Sequence, residues 1–424
     1  MSMKRLFAVA LVLLLALGLS LPAFAVGGYT IANPYKNVDW DAWDAYKANL
    51  HTHTTFSDGN MDLADVVEAY YDQGYDALAI ADHGVVQAAW DKWPKTMPPL
   101  DIPHWFSNRQ VLTSARLAEI TAGADRDGRG MIQVPLGIEM NAATVYKNHL
   151  VGLYGGWGWY WIGFGIDYRI PVSMTQKRGG VTFLAHPGDW AGDVNDKDIV
   201  NYHADIFRDY PSLLGMEVYN RVDTVTRHDR KLWDNLLARL TPEGVQVFAF
   251  ANDDSHVLTD IGCTAELLYM PSNSTANVRK CLESGAFLAC SRRDRIVLGD
   301  QFVGDYNAPF PSLERITIAG DVITLDTAGT TKVEWIADGK VILSGSDSID
   351  LAAYADQITC YVRAQLIGPG GISATQAFGV DKGDGYKFPD DSRKGFDKFM
   401  WTAELVMRRS LFMFLYETIA KLFR

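Results

Sequence analysis

The sequence predicts an α/β chain: a barrel of seven short strands with helices between them, then a small β-sandwich, then one amphipathic helix. Three observations carry this. Short apolar runs, most ending in a polar residue, recur up to about residue 300 and alternate with helical stretches. From about Gln301 the hydrophobic period falls to two. From Phe396 onward the chain is crowded with aromatics and Met.

Residues 1–25 read as a secretory signal: Lys4 and Arg5, an apolar run from Leu6 to Leu19, then Ala23-Phe24-Ala25 with small residues where cleavage needs them. The run of 14 residues is short for a bilayer span of about 20, which favours cleavage after Ala25 over an uncleaved anchor. Export to the periplasm or the outside follows, and the formal charge moves from −12 to −14 as two basic residues leave. Four cysteines remain, Cys263, Cys281, Cys290 and Cys360, none in a CxxC pair. They read as buried apolar fillers rather than a disulfide framework or a metal site. The 424-residue chain is 48% hydrophobic and 21% charged, a globular make-up with ample core. Its acidic balance argues against a nucleic-acid scaffold, which needs Lys and Arg facing phosphates. A small anionic substrate stays compatible if cations are bound locally.

Over residues 26–300 the expected strands are Ala48–His51, Ala77–Asp82, Gln133–Glu139, His149–Leu153, Val181–His186, Gly215–Asn220 and Val245–Asn252. Runs such as Val247-Phe248-Ala249-Phe250-Ala251 suit strands covered on both faces. Met61–Asp72 and Arg227–Leu240 are helical, the second with Leu232, Leu236, Leu237 and Leu240 on one stripe.

The polar residues at these strand ends are informative. His51 and His53 follow the first strand, Asp82 and His83 close the second, and Glu139 ends the third. His186 ends the fifth, and Asp254 and His256 lie just past the seventh. In a βα barrel these positions converge on the C-terminal rim, where catalytic groups gather. His149 is the exception, because it opens its strand. Imidazole and carboxylate together are ligands for Zn, Mn or Fe. In His51-Thr52-His53 an extended backbone points both rings to one side, and Asp254-Ser255-His256 repeats that geometry. One ion takes about four protein ligands, so this many candidates imply two or three ions, with Glu139 placed to bridge.

These residues resemble the PHP (polymerase and histidinol phosphatase) metallohydrolases. The matching segments are Asn49–Thr54, Ser57-Asp58-Gly59, Ala81-Asp82-His83, Gly137-Ile138-Glu139, His149-Leu150, Ala185–Gly188, Glu217–Asn220 and Asn252–His256. The last segments and the C-terminal region are most similar to a secreted carbaryl-hydrolase-like branch. The resemblance implies a distorted seven-stranded (β/α) barrel that uses two or three divalent ions to hydrolyse phosphate esters. It assigns His51, His53, Glu139 and Asp254 to a first ion, and Glu139 with His149 and His186 to a second. A third falls to His83 and His256, with Asp58 where some members carry a histidine. Asp82 is read either as catalytic or as a partner orienting a ligand histidine. Glu217 and Asn220 are read as substrate contacts.

The expected reaction is attack by a metal-bridging hydroxide on a small-molecule ester, most simply a phosphate mono- or diester. His83 or His256 would then give a proton to the leaving group. A carbamate or carboxylic ester hydrolase is the alternative reaction, and an inactive surface-binding barrel the alternative class. Two aromatic-rich stretches, one from Trp90 to Trp105 and one from Tyr154 to Phe164, either wall an apolar substrate or pack the loops.

Residues 301–381 are the expected β-sandwich. Thr359–Leu366 alternates polar and apolar, and Asp338-Gly339 between two apolar runs is a hairpin signal. Residues 382–395 are a polar linker. The helix expected over 396–424 carries five basic and three acidic residues, and its longest uncharged run, Ser410–Tyr416, is too short to cross a bilayer. It is therefore either an interfacial membrane helix or a docking element against the barrel or a sister subunit.

Overall fold

The computed structural model describes residues 28–94, 109–144, 147–158, 168–221, 228–389 and 392–408. The expected leader, much of both aromatic stretches and the chain beyond Arg408 lie outside the described residues. Along the first part run β1 (Thr30–Ala32), β2 (Asp44–Asn49), α1 (Leu63–Asp72), β3 (Ala77–Leu78), α2 (Ser114–Ala122), β4 (Ile132–Gln133), β5 (Ile138–Thr144), β6 (Lys147–Leu153), α3 (Arg169–Lys177), β7 (Val181–Leu184), α4 (Lys197–Asp209), β8 (Leu213–Asn220), α5 (Asp229–Leu240), β9 (Phe248–Asn252), β10 (Thr264–Met270), α6 (Thr275–Ser284) and β11 (Phe287–Ser291). The second part holds β12 (Ser312–Ala319), β13 (Val322–Ala328), β14 (Lys332–Ala337), β15 (Lys340–Ser344), β16 (Ser348–Asp350), β17 (Tyr361–Gly368), β18 (Gly371–Ala374), β19 (Phe378–Asp381) and α7 (Gly395–Arg408).

The two expected helices form where their stripes demand it. α1 buries Leu63, Val66, Val67, Tyr70 and Tyr71, and α5 buries Leu232, Leu236, Leu237 and Leu240. All seven expected strands have counterparts, but the third splits into β4 and β5. They form two sheets rather than one ring. β5 to β9 make one sheet, while β4, β3, β2, β10 and β11 lie in sequence along another. Among the described residues the seams are closed by isolated bridges, parallel between Thr52 and Ser255 and between His83 and Glu139, and antiparallel between Gln87 and Gly137. β3 is only two residues long, so no continuous ladder closes the ring there. Gly137 sits at this seam, where an added Cβ would lie 2.2 Å from the Ile80 carbonyl oxygen. Only glycine lets β5 come this close to the chain leading to His83.

Strand direction resolves the His149 exception. β6 runs antiparallel to both β5 and β7, and His149 stands opposite Asn141. The opening end of β6 therefore lies at the rim where its neighbours end.

The division expected at residue 300 is not a boundary in the hydrogen-bonded sheet. β18 pairs with β11, Ala289 opposite Ala374, so β14, β15, β17, β18 and β19 extend the same sheet, while β12, β13 and β16 form a separate three-stranded one. β17, expected to expose alternate residues, is buried at all eight positions. Its polar side chains have buried partners instead: Arg363 makes two 2.9 Å bonds to Asp234, and Tyr361 donates to Asp234 at 2.8 Å. The Asp338-Gly339 hairpin forms as expected, with φ of 49° and 70° joining β14 to β15. All four cysteines are buried and unbonded to one another.

Candidate metal centre

β2 runs into an extended segment that hands His51 and His53 to the rim together. His53 N donates to Ser255 O at 3.0 Å and Asp254 N to His51 O at 2.9 Å, so the chains carrying the two His/Asp pairs are laced side by side. Glu139 N donates to Ala81 O at 3.1 Å, seating this carboxylate beside His83. Gly59 packs against the His53 carbonyl, where a Cβ would approach to 2.8 Å, and this folds Asp58 over His53.

All nine expected ligands meet around Glu139, Asp254 and Asp58. Glu139 Oε2 lies 3.0 Å from His83 Nδ1, 3.3 Å from His53 Nε2 and 3.4 Å from His51 Nε2. Its Oε1 lies 3.0 Å from His149 Nδ1 and 3.5 Å from His186 Nε2. Asp254 Oδ1 is 3.0 Å from His53 Nε2 and 3.4 Å from His51 Nε2, and its Oδ2 is 3.8 Å from His186 Nε2. Asp58 reaches His53 Nδ1 at 3.4 Å, His256 Nε2 at 3.3 Å and His83 Nε2 at 3.6 Å. Three sets have ligand atoms close enough to share an ion: His51, His53 and Glu139; His83, Glu139 and His149; and His53, Asp58, His83 and His256.

The donor set fits divalent cations. Glu139 Oε1 is buried without a hydrogen bond despite its nearness to two imidazoles. The His51 and His53 Nε2 atoms converge to 3.1 Å on the side facing both carboxylates. Lone pairs directed at one point need a positive partner, and a cation supplies it.

Electrostatics show what takes that place otherwise. Burial disfavours the charged form of His51, but Glu139, Asp254 and Glu217 outweigh it and raise its pKa well above the ordinary range. His53 is raised to about 10 and His186 to about 9, against burial, by Asp254 and Glu139. Both carboxylates are held well below the usual range by the surrounding imidazoles, again against burial. Burial instead pushes His83 down to about 4, with neighbouring His53 and His149 adding to the fall.

Glu217 and Asn220 depart from the substrate contacts expected of them, and Asp82 matches the orienting one of its two readings. Glu217 is fully buried and accepts from His51 Nδ1 at 2.8 Å, His186 N at 3.1 Å, Asn220 Nδ2 at 2.8 Å and Asn252 Nδ2 at 3.0 Å. With Asn220 equally enclosed, the pair stands behind the cluster and positions it, out of reach of a substrate. Asp82 is also fully buried and joins no ligand set. It accepts from Thr54 N and Oγ1 and from Ser57 Oγ, and Ser57 lies 3.1 Å from His53 Nδ1. Asp82 therefore fixes the ring of His53 through a hydroxyl.

Sequence reasoning missed Arg221, which follows the β8 end where the strand-end rule stopped at Asn220. Its Nε is 3.1 Å from Asp254 Oδ2 and its Nη2 3.2 Å from His256 Nε2. Arg221, His186 and Asp254 adopt φ of 49°, 32° and 43°, left-handed backbone that non-glycine residues seldom hold. Asn141 was also missed and lies 3.2 Å from His83 Nδ1. Of the aromatic residues, Trp90 is core, Trp93 packs edge-on against Phe56, and Trp190 lies 5.9 Å from the His149 ring.

A sequence profile of the PHP domain matches residues 49–185. The match ends one residue short of His186, so the candidate ligands from His186 to His256 lie beyond the matched segment. The chain is similar to a two-domain protein from Bacteroides vulgatus containing a predicted PHP-like metal-dependent phosphoesterase, at 15% identity over 81% of this chain and 88% of that one, with a TM-score of 0.43. It is also similar to a lesion-specific endonuclease from Pyrococcus furiosus, at 10% identity over 56% of each chain, with a TM-score of 0.33. A third similar structure is an amidohydrolase from Chromobacterium violaceum, at 15% identity over 49% of this chain and 87% of that one, with a TM-score of 0.29. None of the curated proteins compared matches the chain.

Proposed function

We propose that this protein is an exported metal-dependent hydrolase of phosphate esters, from the carbaryl-hydrolase-like branch of PHP proteins. In this reading, the two sheets bridged at their seams act as a distorted seven-stranded barrel. One observation carries the proposal: the two oxygens of Glu139 face separate imidazole sets, His51, His53 and His83 on one side and His149 and His186 on the other. A buried carboxylate so placed is built to be shared between two cations.

His51, His53, Glu139 and Asp254 would hold the first ion, and Glu139, His149 and His186 the second. His83, His256 and Asp58 would hold a third, with His53 at its edge. Such ions, of Zn, Mn or Fe, would supply an activated water and would draw charge from a phosphoryl oxygen. Glu217 and Ser57 fix the ring orientations of His51 and His53, which sets where any nucleophile can sit. His83 and His256 have side chains 23% and 20% exposed, the most open imidazoles of the cluster, so a substrate would approach from their side. Arg221 beside His256 adds a fixed positive charge there, suited to an anionic ester.

The test is metal analysis of the purified protein with a panel of nitrophenyl phosphate mono- and diesters and carbamate and acetate esters. Two or more ions per chain with turnover of phosphate esters is the expected result. Turnover of carbamate or acetate esters alone would move the reaction to the carbonyl alternative. Protein without metal or turnover would leave the surface-binding reading.

A further inference from the structure

The helix α7 is tied to the body along one side and leaves apolar side chains on the other. The tethered side is held by ion pairs and by Trp401, which packs against the core. Lys398 Nζ donates to Asp198, and Arg393, just ahead of the helix, donates to both Asp196 and Asp198 at 2.8 Å. Trp401 lies beside these cations, its ring 4.5 Å from Lys398 Nζ and 5.9 Å from the Arg393 guanidinium. Three other large apolar side chains point to solvent instead. Phe396 is 73% exposed, Phe399 65% and Met400 49%, and the two phenyl rings stack at 6.3 Å. An amphipathic helix normally buries that stripe, and a contiguous apolar patch left outside marks contact with something beyond the chain.

Charge and sequence indicate what that is. The chain carries −12 overall, whereas residues 396–424 carry five basic and three acidic residues. This aromatic-rich segment thus has the sign that suits anionic headgroups. Its sequence continues in kind after α7, with Leu411, Phe412, Met413, Phe414, Leu415 and Tyr416 between Arg409 and Lys421. No helix among the described residues is long and apolar enough to cross a membrane. Phe and Leu set against Lys and Arg, broken by charges every few residues, is the composition of an element that lies in the interface.

We infer that residues 396–424 hold the protein peripherally on an anionic membrane surface. Phe396, Phe399 and Met400 enter the boundary between headgroups and acyl chains, while Arg393 and Lys398 fasten the helix to the body. This goes beyond the hydrolase reading and does not depend on it.

The test is sedimentation of the full chain with vesicles of phosphatidylcholine alone and of phosphatidylcholine mixed with phosphatidylglycerol, at low and high salt. The chain should pellet with the mixed vesicles and less so at high salt. Phe396→Ser with Phe399→Ser should cut the bound fraction about tenfold or more while circular dichroism and ester turnover stay unchanged. Met400→Glu should weaken binding by a second route. A wild-type chain that stays in the supernatant with both vesicle types overturns the inference. So does a dimer in light scattering that the double substitution dissociates without any vesicle binding, because a second copy would then cover the patch.

Discussion

Glu217 Oε1 lies 2.8 Å from His51 Nδ1, with both residues fully buried. This contact commits one ring nitrogen of His51 and leaves Nε2 for the cluster, the usual way a carboxylate orients a metal-ligating histidine. Glu217→Gln keeps the shape but weakens that hold. Metal affinity, measured by chelator competition, should fall about 10- to 100-fold. Unchanged affinity would mean that His51 needs no such support.

Removing a ligand should do more. His51→Ala or Asp254→Ala takes away a group that faces both Glu139 and His53, or His51 and His53. Each variant should lose metal and most turnover while its circular dichroism stays that of a folded chain. Full turnover with unchanged metal content would rule out the proposed ligand set.

Metal binding and pH should be linked with a definite sign. In the metal-free protein His53 keeps its proton to about pH 10 and His186 to about 9, against an ordinary value of 6.5. Their contribution to metal-free stability is therefore complete below pH 6.5 and fades as pH rises through 9 and 10. A bound cation needs both rings deprotonated. Loading at neutral pH should thus release protons, and affinity should fall as the solution is acidified. Calorimetry in two buffers of different ionisation heat reads this directly, and equal heats in both would count against it.

Asp234 is the buried anchor for Arg363, with both side chains about 5% exposed. Asp234→Ala leaves a guanidinium buried without its partner, which costs about 3–5 kcal/mol. Chemical denaturation should show that loss, while turnover per folded molecule stays near wild type because Asp234 lies outside every ligand set.

The site was legible because its chemistry needs rare residue types at fixed places. His51, His53, Asp254 and His256 stand just past strand ends, whereas Glu139, expected to close the third strand, is the second residue of β5. Strand direction was less legible: His149 looked misplaced until the antiparallel pairing of β6 put its opening end at the rim. Roles one layer out were harder still. Asp82 was open between a catalytic and an orienting role and Glu217 read as a substrate contact, and only the bonds they accept from Ser57 and His51 point to supporting roles. Arg221 fell beyond the strand where the pattern was read. The period of two in β17 correctly marked a strand but misjudged its exposed face, because Asp234 satisfies Arg363 and Tyr361 from a distant helix.

The pairing of β11 with β18 makes the two halves of the chain interdependent. A chain cut near residue 300 would keep all nine candidate ligands yet leave β11 as a raw edge of Phe287, Leu288 and Ala289. Such an edge recruits neighbouring molecules into intermolecular sheets. The half that holds the candidate ligands should therefore precipitate when made alone, and its solubility is a property of the strands that follow it.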